Sequence, residues 1–303
     1  MAEPADGWLE RDGISLHYLE WRPDGGAENP PIFLLHGLSS NAQYWNRVAR
    51  NLKGRRLVAL DQRGHGLTAR PPRTPPVPDG FAMDELLADA LFAGESLGLD
   101  RPVVAGHSWG ATVALELVAR HPTFAAGLAF IDGPVQSASN LFSWEEGQKF
   151  MQPPLPRYSS FSQALDDAKR DFDGGWGDDL EPFVMARVMQ TETSLVLTLT
   201  APVRLELLRG LYESPIDLLW TQLEVPAVAL LARGGPERMT GWREKGAQRL
   251  GERAPRVEVH WFETPHDIPL FAPEAVAAAI EKLAVSSAAG ETSEATAGQQ
   301  LQD

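Results

Sequence analysis

The sequence predicts an α/β protein built around a mostly parallel β-sheet. Short apolar runs without polar interruption, such as 31–35, 56–60 and 127–131, recur along the chain. Such runs are typical of strands that are buried on both faces of a sheet. Segments with apolar residues at helical spacing separate them. This alternation predicts parallel strands that are connected by helices covering both faces of the sheet.

The predicted strands begin with a hairpin. Residues 7–11 and 14–21 flank Asp12-Gly13, a dipeptide that favours a tight turn between antiparallel strands. The other predicted strands are short apolar or alternating segments, at residues 31–35, 56–60, 103–105, 127–131, 225–231 and 257–262. A Pro-rich loop is predicted at 71–78.

Helices are predicted between these strands and after the last one. Apolar residues at spacings of three and four place them at residues 42–52, 83–97, 111–120, 240–253 and 273–283. The stretch 134–222 breaks the alternation, because it contains several amphipathic helical patterns and no comparable strand. We expect it to be a helical insertion that lies over the ends of the strands.

Composition restricts the binding partners, the metal sites and the cellular location that we expect for this protein. The 303 residues include 27 Lys and Arg against 41 Asp and Glu, a formal net charge of −14, which is expected to repel nucleic acid and anionic membranes. The absence of cysteine excludes disulfides and thiolate metal sites. No signal-peptide pattern and no apolar run of about 18 residues occurs, so we expect a cytoplasmic protein. Residues 286–303 have few large apolar side chains and are predicted to form a disordered tail.

Residues 106–110 carry the sequence pattern with the clearest chemical meaning. They read Gly-His-Ser-Trp-Gly, a G-x-S-x-G motif between a predicted strand and a predicted helix. In that context the motif predicts a nucleophile elbow, a strained turn that exposes the serine at the end of a sheet. Ser108 is therefore the candidate nucleophile, and the small residues at 106 and 110 let the helix pack closely against the strand.

With this motif, the chain resembles the α/β-hydrolase superfamily over residues 8 to 285. The resemblance also rests on His36-Gly37 after one strand, on 61–66 (Asp-Gln-Arg-Gly-His-Gly) after the next, and on His266 near the C-terminus. It implies an eight-stranded, mostly parallel sheet with a helical cap inserted after the sixth strand. The cap corresponds to 134–222, and the core to 1–133 and 223–285.

The resemblance also assigns roles to individual residues. His266 follows the last predicted strand and is the expected general base for Ser108. Two carboxylates compete for the role of triad acid. Asp132 follows the sixth strand, as in some branches of the superfamily, and Glu237 lies three residues after Gly234, behind the seventh strand. Asp132 is preferred, because the loop around Glu237 is irregular and flanked by arginines; either carboxylate could orient the imidazole.

Further residues are expected to complete the site. The backbone amides of Leu38 and Trp109 are the expected oxyanion hole. Candidate substrate-binding residues are His36, beside the site, and three tryptophans that could line an apolar cavity, Trp144, Trp176 and Trp220.

The resemblance implies a serine hydrolase that cleaves an ester or lactone of a mostly apolar small molecule through an acyl-Ser108 intermediate. No cofactor or metal is expected, since no metal-ligand spacing occurs in the sequence. Alternatives on the same fold are C–C bond hydrolysis, amide or aminopeptidase cleavage, and cofactor-free oxygenation. Serine at position 108 argues against dehalogenase and epoxide hydrolase chemistry, which use a carboxylate nucleophile. A non-catalytic ligand-binding protein is the remaining alternative.

Overall fold

The computed structural model describes residues 3–68 and 80–299, with side chains to residue 288. The Pro-rich loop predicted at 71–78 lies outside these ranges. The strands are β1 (Ala5–Arg11), β2 (Ile14–Trp21), β3 (Glu28–Leu35), β4 (Arg55–Leu60), β5 (Val103–His107), β6 (Gly127–Ile131), β7 (Arg157–Tyr158), β8 (Val188–Gln190), β9 (Leu195–Leu197), β10 (Ala227–Ala232) and β11 (Glu258–Phe262). The α-helices are α1 (Asn46–Ala49), α2 (Met83–Ser96), α3 (Trp109–Arg120), α4 (Trp144–Met151), α5 (Phe161–Asp171), α6 (Glu181–Arg187), α7 (Ala201–Glu213), α8 (Ile216–Gln222), α9 (Glu237–Arg253), α10 (Ile268–Phe271) and α11 (Pro273–Gln299).

Eight of these strands form one sheet with the spatial order β1-β2-β4-β3-β5-β6-β10-β11. The hairpin of β1 and β2 pairs antiparallel, and β2 also pairs antiparallel with β4. Every other neighbouring pair in the sheet is parallel. The predicted fold class, an eight-stranded and mostly parallel sheet with helices on both faces, is confirmed.

The continuous apolar pattern of the central strands is explained by burial on two sides. In β3, Phe33 and Leu35 belong to the apolar core that also contains side chains of α2 and α3. Ile32 and Leu34 point to the opposite face, into a second core with side chains of α1 and α11. Successive strand residues face opposite sides of a sheet, so a strand covered on both faces needs an apolar residue at every position.

The order of the strands creates a crevice at one end of the sheet. From β3 the chain crosses outward to β4, and it then returns to β5 on the other side of β3. The connections therefore diverge at the carboxyl ends of β3 and β5, the position at which open α/β sheets bind ligands. His36 and Ser108 follow these two strands directly.

Residues 134–222, which we call the cap segment, lie between β6 and β10 of the sheet. They contain α4 to α8 and a small antiparallel sheet with the order β7-β9-β8. The sequence predicts only the helices of this segment. Its strands have two or three residues each, too few to show a recognisable alternation of polar and apolar side chains.

The structure differs from the sequence prediction at two helices. The helix predicted at 42–52 is a 3₁₀ turn, Ala42–Trp45, followed by α1, which ends at Ala49. The disordered tail predicted at 286–303 differs more, because α11 continues to Gln299. Alanine has the highest helix propensity, so an Ala-rich segment can extend a packed helix without burying apolar side chains. No helix in the described ranges is long and apolar enough to cross a membrane.

Candidate active site

Ser108 lies in a sharp turn between β5 and α3. Its φ of 57° and ψ of −123° fall where residues other than glycine are rare. The neighbouring glycines make the turn possible. A Cβ on Gly106 would lie 2.3 Å from the Gly110 carbonyl oxygen, and one on Gly110 would lie 2.3 Å from the His36 carbonyl oxygen. The Ser108 amide donates a 2.8 Å hydrogen bond to the Ile131 carbonyl, which ties the turn to the end of β6.

Ser108, His266 and Asp132 form a continuous chain of hydrogen bonds. The distance from His266 Nε2 to Ser108 Oγ is 2.8 Å, and from His266 Nδ1 to Asp132 Oδ2 it is 2.6 Å. Asp132 is fixed from its other side, because its Oδ1 accepts a 2.9 Å hydrogen bond from the Ala232 amide. The three side chains follow β5, β11 and β6, so they come together at the same edge of the sheet, where the parallel strands have their carboxyl ends.

The surroundings favour a charged carboxylate beside a basic imidazole. Burial raises the pKa of Asp132, but the hydrogen bond from His266 and the charges of His266 and Arg243 outweigh burial and leave the pKa below its ordinary value. Burial lowers the pKa of His266, but the hydrogen bond and negative charge of Asp132 raise it above its ordinary value. This geometry can accept a proton from Ser108 and stabilise the resulting imidazolium.

The structure distinguishes between Asp132 and Glu237, the two candidates for the triad acid. They follow β6 and β10, which are neighbours in the sheet. Glu237 is the first residue of α9, its side chain is exposed, and it makes no hydrogen bond with His266 among the described residues. The carboxylate beside the imidazole is therefore Asp132.

Arg243 also contacts Asp132, and the sequence reasoning missed it. Its Nη2 donates a 2.6 Å hydrogen bond to Asp132 Oδ2 and lies 3.4 Å from His266 Nδ1. The residue is 8% exposed, and its Nη1 is buried without a hydrogen-bond partner among the described residues. No sequence signal distinguishes Arg243 from the other basic residues of α9, because only packing shows which of them points towards the sheet.

The amides of Leu38 and Trp109 are in place to bind an oxyanion. Both residues line the cavity that contains Ser108. Trp109 is the first residue of α3, where an N–H group has no acceptor within the helix. Neither amide donates a hydrogen bond to another described residue. The chain before Leu38 runs close to the nucleophile, because a Cβ on Gly37 would lie 3.2 Å from Ser108 Cβ.

Ser108 lines a cavity of about 420 Å³, which we call the apolar cavity. Strand ends, the cap segment and α9 form its walls. Its apolar lining consists mainly of Val135, Leu141, Phe142, Phe150, Met151, Leu208, Leu211, Met239 and Trp242. The guanidinium-bearing residues Arg204 and Arg243 line it as well. Size and lining are typical of a site for a small organic molecule.

A second cavity of about 340 Å³, which we call the polar cavity, also reaches Ser108. It shares Leu38, Ser108 and His266 with the apolar cavity. Its other lining residues include Tyr44, His107, Asp171, Arg187 and Asp267. The Tyr44 hydroxyl donates a 3.0 Å hydrogen bond to Asp267 Oδ1. Ser108 therefore lies between two cavities of different chemistry.

Two of the predicted substrate-binding residues are buried away from both cavities. His36 is fully buried; its Nδ1 lies 2.8 Å from the Gly37 carbonyl oxygen, and its Nε2 accepts a 3.0 Å hydrogen bond from the Gln62 amide. It braces the loops after β3 and β4. Trp220 is 2% exposed and packs against Phe130 with ring centroids 4.9 Å apart. The structure corrects both assignments.

The other two predicted tryptophans also fail to line either cavity. Trp144 lies against Tyr212 and under the Arg209 guanidinium, and Trp176 lies under Lys169. Trp242 of α9 lines the apolar cavity instead. A tryptophan within a helix of mostly polar residues is the signal that could have identified it. Among the described residues, no group of His, Asp and Glu could hold a metal ion.

Comparisons with known proteins identify the fold family and the class of enzyme that this chain resembles. Residues 30–169 match a family model described as alpha/beta hydrolase fold, a range that includes Ser108 and Asp132. A region of 158 residues is 32% identical to epoxide hydrolase 3 of Xenopus tropicalis, covering 49% of this chain and 41% of the relative. A region of 114 residues is 36% identical to the bifunctional esterase/perhydrolase DCH of Acinetobacter calcoaceticus, covering 37% of this chain and 38% of the relative. The chain therefore matches less than half the length of these relatives.

Solved structures resemble this chain over most of its length. The thioesterase domain from the curacin biosynthetic pathway has a TM-score of 0.75 at 17% identity, covering 92% of this chain and 99% of the other. E-2-(acetamidomethylene)succinate hydrolase has a TM-score of 0.74 at 17% identity, covering 92% and 98%. At these identities the likeness concerns the fold.

Proposed function

From the premise that this chain belongs to the α/β-hydrolase fold superfamily, we propose that it is a serine hydrolase that cleaves an ester or lactone through an acyl-Ser108 intermediate. The observation that carries the proposal is the unbroken hydrogen-bond chain from Ser108 Oγ through His266 to Asp132. A serine hydroxyl becomes a useful nucleophile when a positioned base can take its proton.

In the acylation step, Ser108 Oγ attacks the substrate carbonyl carbon while His266 Nε2 takes the hydroxyl proton. The negative charge on the carbonyl oxygen is stabilised by the amides of Leu38 and Trp109, each worth about 3 kcal/mol in the transition state. Asp132 stabilises the imidazolium. When the tetrahedral intermediate collapses, His266 gives its proton to the departing alcohol oxygen, and the acyl group remains on Ser108.

In the deacylation step, a water molecule attacks the acyl carbon while His266 Nε2 takes a proton from the water. Collapse of the second intermediate breaks the bond to Ser108 Oγ, which recovers its proton from His266. The products are a carboxylic acid and an alcohol, or one hydroxy acid where the substrate is a lactone. A mostly apolar substrate of moderate size is favoured by the lining and volume of the apolar cavity.

Epoxide hydrolysis is disfavoured, although several relatives are named epoxide hydrolases. Opening of an epoxide by Ser108 Oγ would leave an ether on the enzyme. Attack of water on such an ether has no carbonyl to pass through, so the enzyme would not be regenerated. Nucleophilic hydrolysis of esters, lactones or amides needs only the groups present here.

The experiment that tests the proposal measures hydrolysis of p-nitrophenyl esters from acetate to decanoate, with Ser108→Ala as the control. We expect wild-type turnover, loss of turnover in the variant, and a mass increase equal to one acyl group on Ser108 after rapid quenching. A fluorophosphonate probe should label wild type at Ser108. A folded protein that neither turns over esters nor reacts with the probe would refute the serine hydrolase proposal.

A further inference from the structure

Arg204 brings a positive charge to the apolar cavity. It is the fourth residue of α7 in the cap segment, and it lines the cavity together with Ser108. Its guanidinium crosses the gap between the cap segment and the core. Nε and Nη2 donate hydrogen bonds to the Met151 carbonyl at 3.3 and 2.9 Å, and Nη1 donates one to Ser39 Oγ.

No carboxylate balances this charge within the described residues. Arg204 takes part in no ion pair there, and the charged neighbour that influences its pKa is Arg187, which is also a cation. Burial, and secondarily the charge of Arg187, lower the pKa of Arg204. Placing a charge in an apolar cavity without a counter-charge is unfavourable, so another interaction is expected to compensate.

Four guanidinium groups of this chain that are buried or half-buried show the contrast. Each of them has a carboxylate oxygen within 2.6 to 2.7 Å: Arg47 with Asp179, Arg55 with Glu281, Arg63 with Asp89, and Arg243 with Asp132. Arg204 instead has two neutral partners, a carbonyl and a hydroxyl. Its three hydrogen bonds leave two of the five guanidinium N–H groups without an acceptor among the described residues.

We propose that Arg204 binds a carboxylate of the substrate. The inference rests on the proposed function, which it deepens by naming the substrate class. A guanidinium presents parallel N–H groups that match the two oxygens of a carboxylate, and one negative charge balances one arginine. Ser39, which Arg204 contacts, directly follows Leu38 of the expected oxyanion hole. The carboxylate therefore lies a few bonds from the scissile carbonyl.

The expected position of the carboxylate, a few bonds from the scissile carbonyl, determines which substrates should be compared. Monoethyl esters of dicarboxylic acids with four to eight carbons carry the charge on the acyl part, and acetylated short hydroxy acids carry it on the alcohol part. Ethyl esters of monocarboxylic acids and acetylated alkanols of matched length are the neutral counterparts. Product quantification gives kcat/KM for each charged ester and its neutral counterpart. The measured quantity is the ratio between the two.

In wild type we expect this ratio to exceed about ten in at least one of the two series. In Arg204→Met, which keeps bulk and loses charge, the ratio should fall about 10- to 100-fold, because charge-assisted hydrogen bonds are lost. Arg204→Lys should give an intermediate ratio. Arg209→Met is the matched control, since Arg209 lies on the same helix, is exposed and pairs with Glu213; its ratio should equal that of wild type.

A binding experiment keeps the inference falsifiable without turnover. Dicarboxylates such as adipate should raise the melting temperature of Ser108→Ala, and this shift should disappear when Arg204→Met is added but remain in part with Arg204→Lys. The carboxylate site would be overturned if wild type hydrolysed neutral esters with a kcat/KM equal to or above that of their charged counterparts. It would also be overturned if the charged-to-neutral ratio were equal in wild type and Arg204→Met. Either result would leave the serine hydrolase proposal intact. If wild type neither turned over esters nor reacted with the probe, while adipate still raised the melting temperature of Ser108→Ala, the proposed function alone would be overturned. Absence of the shift would overturn the inference.

Discussion

The apolar and the polar cavity meet at Ser108 but have different linings. The apolar cavity takes its wall from the cap segment and from α9, with Phe142, Leu208 and Trp242 among its side chains. The polar cavity lies between the loop after β3, the chain around His266 and a different part of the cap segment, which contributes Asp171 and Arg187. Only the apolar cavity includes both Leu38 and Trp109.

This difference indicates how a substrate would be divided between the two cavities. An apolar wall binds by burial of surface, so it discriminates by size at about 0.8 kcal/mol per methylene group. A polar wall penalises groups that leave its charges unpaired, so it discriminates by chemistry. We therefore expect the apolar cavity to determine the preferred chain length, and the polar cavity to determine which polar group is tolerated on the other side of the scissile bond.

The largest expected effect follows from the nucleophile that both cavities share. Ser108→Ala should reduce kcat/KM by at least about 10⁴-fold for every substrate, whichever cavity its larger part occupies. Steady-state kinetics across the ester series measures this. A substrate that the variant still cleaves at the wild-type rate would mean that one of the cavities uses different chemistry.

The next largest effect distinguishes the two candidate acids. Asp132→Asn should lower kcat by about 10³- to 10⁴-fold, because the amide no longer holds the productive tautomer or stabilises the imidazolium. Glu237→Gln should behave as wild type, since Glu237 is exposed and makes no hydrogen bond with His266. The reverse result, with only the Glu237 variant inactive, would assign the acid to the other strand.

A smaller and selective effect is expected from the wall of the apolar cavity. Trp242→Ala should lower kcat/KM for octanoyl esters about 10-fold or more and change that for acetyl esters much less, because only the long chain reaches the removed ring. The measurement is the slope of log kcat/KM against chain length.

Two control variants sharpen that result. Trp144→Ala removes a tryptophan that lies against Tyr212 outside the cavity, so the slope should stay as in wild type. Arg187→Met changes the polar cavity and should also leave the slope unchanged. A slope that changes equally in all three variants would contradict the assignment of chain length to the apolar cavity.

The smallest expected effect is a shift in pH dependence. Activity needs neutral His266, so it should fall as the pH falls through the pKa of His266, which lies above its ordinary value chiefly through the hydrogen bond of Asp132. The positive charge of Arg243 lowers the pKa of His266. Arg243→Met should therefore move the acidic limb of the kcat/KM profile to higher pH. A limb that stays in place or moves to lower pH would contradict the electrostatic role of Arg243.

Much of the site could be predicted from the sequence because its backbone signals are local. The glycines of 106–110 between a strand and a helix mark the turn that holds Ser108, and steric contact alone explains why both glycines are needed. His266 follows the last strand of a parallel sheet, and the carboxyl ends of such strands lie along one edge. Together with this order, the resemblance to α/β-hydrolases predicted that the two residues meet.

The walls of the cavities could not be predicted in this way. Trp144, Trp176 and Trp220 look alike in the sequence, yet none lines either cavity, whereas Trp242 does. The positions of Trp144, Trp220 and Trp242 depend on how their helices are rotated and tilted against their neighbours, and the position of Trp176 depends on the loop after α5. Hydrophobic periodicity identifies the buried face of a helix but not what that face is packed against.

By itself the sequence determined the α/β architecture and the elbow at Ser108. It also led to His266 as the candidate base and to Asp132 and Glu237 as the two candidate acids. The architecture and the elbow follow from strand and helix periodicity and from backbone geometry that only certain residues allow, whereas the roles of His266, Asp132 and Glu237 follow from the resemblance to α/β-hydrolases. Tertiary structure decided that Asp132 faces the imidazole, that Arg243 shares this carboxylate, and that Arg204 is left without one. The physical reason is that charge pairing depends on distances of a few ångströms between side chains far apart in the chain, and these distances are set by packing.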